Sequence, residues 1–143
     1  MGGTMEQSFD EMLKPAKPVK RTILLVDDEK KMRSRYKKVL KKEGFRVIEA
    51  PNALEVANIL MREKSKLELI VLDINIREVD GRDIFDIIAE YAPNLQVIVS
   101  SVLPIGEQKI RIPRAADYFC KANKDSLLVS KVKNIVGTSP VQV

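Results

Sequence analysis

The chain has 143 residues, 45% hydrophobic and 31% charged, the make-up of one globular domain with a core of its own. It contains no histidine, which excludes Ser-His and Cys-His catalysis and most zinc sites, and its one cysteine, Cys120, excludes an internal disulfide. The formal net charge of +5 admits a nucleic-acid partner, but it is also the charge of a protein with one solvated basic helix.

Residues 1–21 hold Gly2-Gly3, Pro15, Pro18 and scattered charges without a period, so a flexible leader is expected. Gly2 is followed by Glu6 where a myristoylation motif needs Ser or Thr. No apolar run is long enough to span a membrane, and no signal-peptide core follows Met1. With the lone cysteine, this points to the reducing cytoplasm.

Thr22–Val26, TILLV, is an apolar run of strand length that ends on Asp27-Asp28-Glu29. From Lys30 to Glu43, Met32, Tyr36, Val39 and Leu40 recur at helical spacing, and Gly44 is the stop. The same segment carries Lys30, Lys31, Arg33, Arg35, Lys37, Lys38, Lys41 and Lys42. That charge fits a solvated face or a docking surface for an acidic partner helix. Nucleic acid is the poorer reading, because no aromatic residues interleave with the cations and no recognition motif is present.

Phe45–Glu49 reads as a second strand, and Pro51-Asn52 opens a helix with Ala53, Val56, Ala57 and Leu60 on one face. Leu69–Leu72, a third strand, is apolar at every position, as in a parallel sheet buried on both faces, and runs directly into Asp73. Asp80-Gly81 is a turn signal that closes the loop after it. A helix with Ile84, Ile87, Ile88 and Tyr91 in its stripe follows, ended by Pro93-Asn94. Val97–Val99 is a fourth strand closing on Ser100-Ser101. Pro104 and Pro113 bracket a segment where any helix is short or irregular. Asp117–Cys120 is a fifth strand, with Lys121 after it and Cys120 expected as a small core residue. Leu128, Val132, Ile135 and Val136 mark a last helix, and residues 138–143 are expected to be a disordered tail. Five strands alternating with helices predict an α/β fold, a parallel sheet with helices on both faces.

Four of the strands end in polar residues at one edge of that sheet: Asp27 and Asp28, Asp73, Ser101, and Lys121. Carboxylates brought together raise one another's pKa, and a hard cation relieves the repulsion. Mg2+ takes one or two carboxylates and a phosphoryl oxygen as ligands. A carboxylate can also attack phosphorus, and a lysine and a hydroxyl then serve the developing charge.

These residues resemble the receiver domain of two-component response regulators, in ILLVDDE (Ile23–Glu29), LIVLDINIREVDG (Leu69–Gly81), VIVSS (Val97–Ser101) and DYFCK (Asp117–Lys121). The resemblance covers residues 22–137 and implies a flavodoxin-like, doubly wound, five-stranded parallel sheet. It implies that Asp73 accepts phosphate from a histidine kinase or histidine phosphotransfer protein. It further implies that Asp28, Asp73 and the backbone carbonyl of Asn75 hold Mg2+, with Asp27 acting partly through water. Lys121 would pair with the phosphoryl group and Ser101 would hydrogen-bond it. Ser101 is preferred to Ser100 because the family places this hydroxyl 28 residues after the acceptor. Tyr118 would be the aromatic that turns inward on activation. A downstream protein partner or an output domain would read the switch.

The chain departs from the family pattern at Ile76-Arg77, where Met-Pro is usual, and at Ala122, where a proline is usual; a trans peptide is therefore expected after Lys121. Two other readings remain. One is an aspartate-nucleophile phosphatase, against which Asn75 stands where its second aspartate would be. The other is a receiver-like binding module indifferent to phosphate.

Overall fold

The computed structural model describes residues 21–76 and 81–137. Five strands form one sheet: β1 (Thr22–Val26), β2 (Arg46–Ala50), β3 (Leu67–Asp73), β4 (Gln96–Ser101) and β5 (Asp117–Cys120). Their order is β2-β1-β3-β4-β5 and every pairing is parallel. Between and after them lie α1 (Lys30–Lys42), α2 (Ala53–Glu63), α3 (Gly81–Tyr91), α4 (Ile105–Arg111) and α5 (Asp125–Val136), with a 3-10 turn at Lys64–Lys66. The expected doubly wound α/β architecture is what forms, and the fourth helix is short, with seven residues.

The sheet separates two cores. Strand alternation sends Leu24, Val26, Ile70, Leu72 and Val97 to one face, where α2 and α3 pack with Val56, Ile59, Leu60, Ile84 and Ile88. Ile23, Leu25, Leu69, Val71, Ile98 and Phe119 face the other side, under α1 and α5 with Tyr36, Leu40, Leu128 and Val132. A smaller cluster of Ile74, Val99, Ile112 and Tyr118 fills the space beside α4.

Local signals set the element ends. The Asn52 side chain accepts from the Glu55 backbone N–H at 2.9 Å, capping α2. Gly44 takes φ +94° after α1, a left-handed turn that favours glycine. Gly81 opens α3 against the backbone of Ile74, where a Cβ would collide, and its N–H donates to the Ile74 carbonyl at 3.2 Å. Asp80, the other half of that expected turn, and Arg77 lie outside the described residues, as do residues 1–20 and 138–143.

Several expectations shift. Phe45 precedes β2 and is buried in the α1/α5 core instead. Arg21, expected in the leader, already meets the sheet: its carbonyl accepts from Arg46 N at 2.9 Å and its guanidinium reaches Glu68 at 3.3 Å. Tyr91 fits the α3 stripe but is 59% exposed, because a helical stripe is buried only where a partner surface faces it. Cys120 is half-buried rather than a core residue, with Sγ 3.8 Å from the Val102 carbonyl. Among the described residues, no helix is long and apolar enough to cross a membrane.

Candidate functional site

The chain leaves β1 towards β2 on one side and β3 lies on the other, so the carboxyl ends of β1 and β3 border the crevice where ligands bind in such sheets. Asp27 follows β1 directly and Asp73 is the last residue of β3. Asp27 and Asp73 are buried, Asp28 is partly exposed, and carboxylate oxygens of all three lie within 4.8 Å of one another.

One cation faces this cluster from the end of β5. Lys121 Nζ lies 2.7 Å from Asp27 Oδ2 and 3.5 Å from Asp73 Oδ2, and its side chain is 7% exposed. The Lys121 N–H donates to the Ser101 carbonyl at 2.8 Å and the Asn123 N–H to the Cys120 carbonyl at 2.9 Å. These bonds form the turn without the usual proline, and the peptide after Lys121 is trans, as expected from Ala122. Asp27 Oδ1 is also engaged, accepting from the Glu29 N–H at 2.9 Å at the entry to α1. Arg33 of α1 donates to the Asp27 carbonyl at 2.7 Å.

Burial pushes the Asp73 carboxyl above the usual carboxylate range. Lys121 and the Asn75 N–H, which donates to Asp73 Oδ1 at 3.0 Å, pull it back, while Asp27 adds to the rise. A set of hard oxygen donors, mostly buried and open at Asp28, fits a small hard cation such as Mg2+ better than a soft metal.

The two serines at the end of β4 part company. Ser101 Oγ is buried and accepts from Asn75 Nδ2 at 3.2 Å and from Leu103 N at 3.1 Å. Ser100 follows Ile98 in the alternation, onto the α1/α5 face, and its buried hydroxyl has no hydrogen-bond partner among the described residues. Asn75 therefore links Ser101 to Asp73, and the hydroxyl stands beside the cluster rather than in it. Tyr118 is buried; its hydroxyl donates to the Ile112 carbonyl and accepts from Ala115 N at 3.3 Å. It lies with Ile74 and Val99, and Lys109 Nζ sits 5.8 Å from its ring centre.

Two residues of this region stand outside the sequence-derived set. Gln108 is fully buried in α4, and Arg111 at its end reaches Asn75 Oδ1 at 3.2 Å. The available signal was a polar residue at the stripe position between Ile105 and Ile112.

Comparison with known proteins agrees with this geometry. The family model described as response regulator receiver domain matches residues 23–133. The chemotaxis protein CheY of Thermotoga maritima is 29% identical over 118 residues, which are 79% of this chain and 95% of that protein. The sporulation initiation phosphotransferase F of Bacillus subtilis is 32% identical over 77 residues, 54% of this chain and 60% of that protein. The transcriptional regulatory protein YvrH of Bacillus subtilis is 38% identical over 72 residues, half of this chain and 30% of that protein. The chain thus spans less than two thirds of the length of these last two relatives. Among solved structures, a response regulator from Thermotoga maritima superimposes with a TM-score of 0.73 at 29% identity, over 84% of this chain and 100% of the other. With the strand order, the carboxylates at the ends of β1 and β3 and the lysine at the end of β5 all in one place, and a family model over most of its length, the chain belongs to the response regulator receiver domains.

Proposed function

We propose that this receiver accepts a phosphoryl group on Asp73 from a phosphohistidine of a histidine kinase or histidine phosphotransfer protein. The observation that carries the reading is the buried Asp73 carboxylate, 3.5 Å from the Lys121 ammonium within a cluster of three carboxylates. An Asp73 oxygen attacks phosphorus, the P–N bond breaks with its electron pair going to the imidazole, and an acyl phosphate forms. Lys121, held meanwhile by Asp27, turns to the phosphoryl oxygens as their charge appears beside it. Bound Mg2+, held by Asp27, Asp28, Asp73 and the Asn75 backbone carbonyl, would supply further positive charge to those oxygens. Ser101 donates its hydroxyl proton to one of them, and Tyr118 occupies the space that this movement opens. The residues thereby assist both phosphorylation and its reversal. The chain works in the cytoplasm, and a downstream protein partner or an output domain reads the result; nucleic acid is not a ligand of this domain itself.

The test is incubation with acetyl phosphate and Mg2+, followed by intact-mass measurement. The expected product carries one base-labile phosphoryl group, which Asp73→Asn fails to acquire while remaining folded. Equal uptake by the Asn variant would remove Asp73 as acceptor. Turnover of external phosphomonoesters would indicate a phosphatase, and no reaction at all would indicate a binding module indifferent to phosphate.

A further inference from the structure

Asn75 gathers contacts that the chemistry above does not use. Its N–H donates to Asp73 Oδ1 at 3.0 Å, its Nδ2 to Ser101 Oγ at 3.2 Å, and its Oδ1 accepts from Arg111 Nη1 at 3.2 Å. Arg111 is the last residue of α4. That helix is anchored at its middle too, where Gln108 Nε2 lies 2.7 Å from the Leu103 carbonyl, 3.0 Å from that of Phe119 and 3.4 Å from that of Ser101. The Tyr118 hydroxyl donates to the carbonyl of Ile112, one residue past the helix.

The direction of each bond follows from the groups. A guanidinium only donates, so Arg111 must take the oxygen end of the Asn75 amide and the NH2 end is left facing Ser101. That NH2 only donates as well, so the Ser101 hydroxyl serves as acceptor, and Leu103 N supplies a second donor. Two donors on one Oγ set its rotamer. Donating the hydroxyl proton leaves both of these bonds intact, whereas a change of rotamer that carries Oγ towards an oxygen on phosphorylated Asp73 breaks the bond from Asn75.

We propose that Arg111 is a positioning residue of the switch: by fixing the Asn75 amide it holds Ser101 in its resting rotamer, and so couples the end of α4 to the phosphorylation state of Asp73. The inference rests on the reading of Asp73 as acceptor. Linkage gives two consequences. Arg111 stabilises the resting state against the phosphorylated one, and a phosphoryl group on Asp73 weakens the hold of Asn75 on Arg111 by the same factor. The chain's phosphorylation is thereby transmitted to the end of a short helix that Gln108 also anchors.

The probe is beryllofluoride with Mg2+, a non-covalent stand-in for the phosphoryl group, titrated into the full chain by calorimetry. One solvent-exposed hydrogen bond lost from the resting state, at the modest net value of an ordinary one, predicts roughly three- to ten-fold tighter binding in Arg111→Ala. Arg111→Met, which keeps the stem and loses the donors, should match it even if the Ala variant melts early. Arg111→Lys, which keeps a donor, should fall nearer the wild type. Asn75→Ala should bind tighter as well, and adding Arg111→Ala to it should give no further gain, because both act on one path. Wild-type affinity in the Ala and Met variants, or independent effects that multiply in the double variant, would overturn the inference while leaving the acceptor reading intact. A wild type that neither binds beryllofluoride nor takes up phosphate would overturn both.

Discussion

At the scale of the residue, Asp73 is a carboxylate placed against its own solvation. Burial raises its pKa, and the Lys121 ammonium and the Asn75 N–H recover only part of the difference. A carboxyl whose folded pKa lies above its unfolded value holds its proton more tightly in the folded protein. Its contribution to stability is fully present below the unfolded pKa and is lost as pH rises through the folded one. Asp73→Asn removes that loss, so the metal-free variant should melt at a higher temperature than the wild type at about pH 7. The advantage should fade as pH falls below about 4, where the wild-type carboxyl is protonated in both states. Thermal melts of both proteins across this range provide the check; a variant less stable at neutral pH would show that Asp73 is held by its partners more than it is penalised by burial. The two oxygens of Asp27, by contrast, are both answered, by Lys121 at 2.7 Å and the Glu29 N–H at 2.9 Å.

At the scale of the element, the carboxyl end of β3 is shaped by the start of α3. Gly81 lies on the backbone of Ile74, one residue past Asp73, and its N–H closes on the Ile74 carbonyl. A methyl group there would strike main-chain atoms that cannot yield as a flexible side chain could. Gly81→Ala should therefore cost about 1–3 kcal/mol of stability, in the range of an overpacked contact, and slow phosphate uptake by moving the loop that carries Asn75. Chemical denaturation and uptake from acetyl phosphate measure the two effects; an unchanged midpoint would show that the loop relaxes freely. The turn signal at Asp80-Gly81 was visible in the sequence, whereas the reason for glycine was not, because Ile74 approaches it only after α3 folds back on β3. The α4 region shows the same limit from another side. Its two prolines hide a regular helix of seven residues, and nothing local shows that Gln108 will meet carbonyls from the end of β4, the following loop and β5.

At the scale of the whole molecule, the positive charge concentrates on α1, where the fold pairs three of the eight cations and leaves Lys30, Lys31, Lys38, Lys41 and Lys42 exposed. Arg33 and Lys37 pair with Glu49 at 3.3 and 3.1 Å, and Arg35 pairs with Asp125 at 2.9 Å, so these three help to seat the helix. Lys38, Lys41 and Lys42 are exposed and would steer an acidic phosphodonor at a distance. Reversing those three to Glu should slow phosphotransfer from a protein donor, with a loss that shrinks as salt rises, since screening sets in over roughly 8 Å at physiological ionic strength. Phosphorylation by acetyl phosphate should barely change. Equal slowing with both donors would mean that the helix supports the site or the fold instead. Lys37 does not belong in such a variant, because a Glu there would face Glu49.

The sequence by itself determined the five strands, their alternation with helices, and the polar residues at the strand ends. Thr22–Val26 and Leu69–Leu72 are compact apolar runs that a two-sided sheet requires, and a charge at the end of each interrupts the run visibly. It also carried the positions of Asp27, Asp28, Asp73 and Lys121, because strand ends of a parallel sheet share one edge. Only the tertiary structure decided which oxygen Lys121 meets, that Ser101 turns to Asn75 while Ser100 turns to the opposite face, and that Arg111 and Gln108 reach the same region. Those contacts join residues distant along the chain; the strand period sends adjacent serines to opposite faces, but no period or spacing names the partner that each side chain meets.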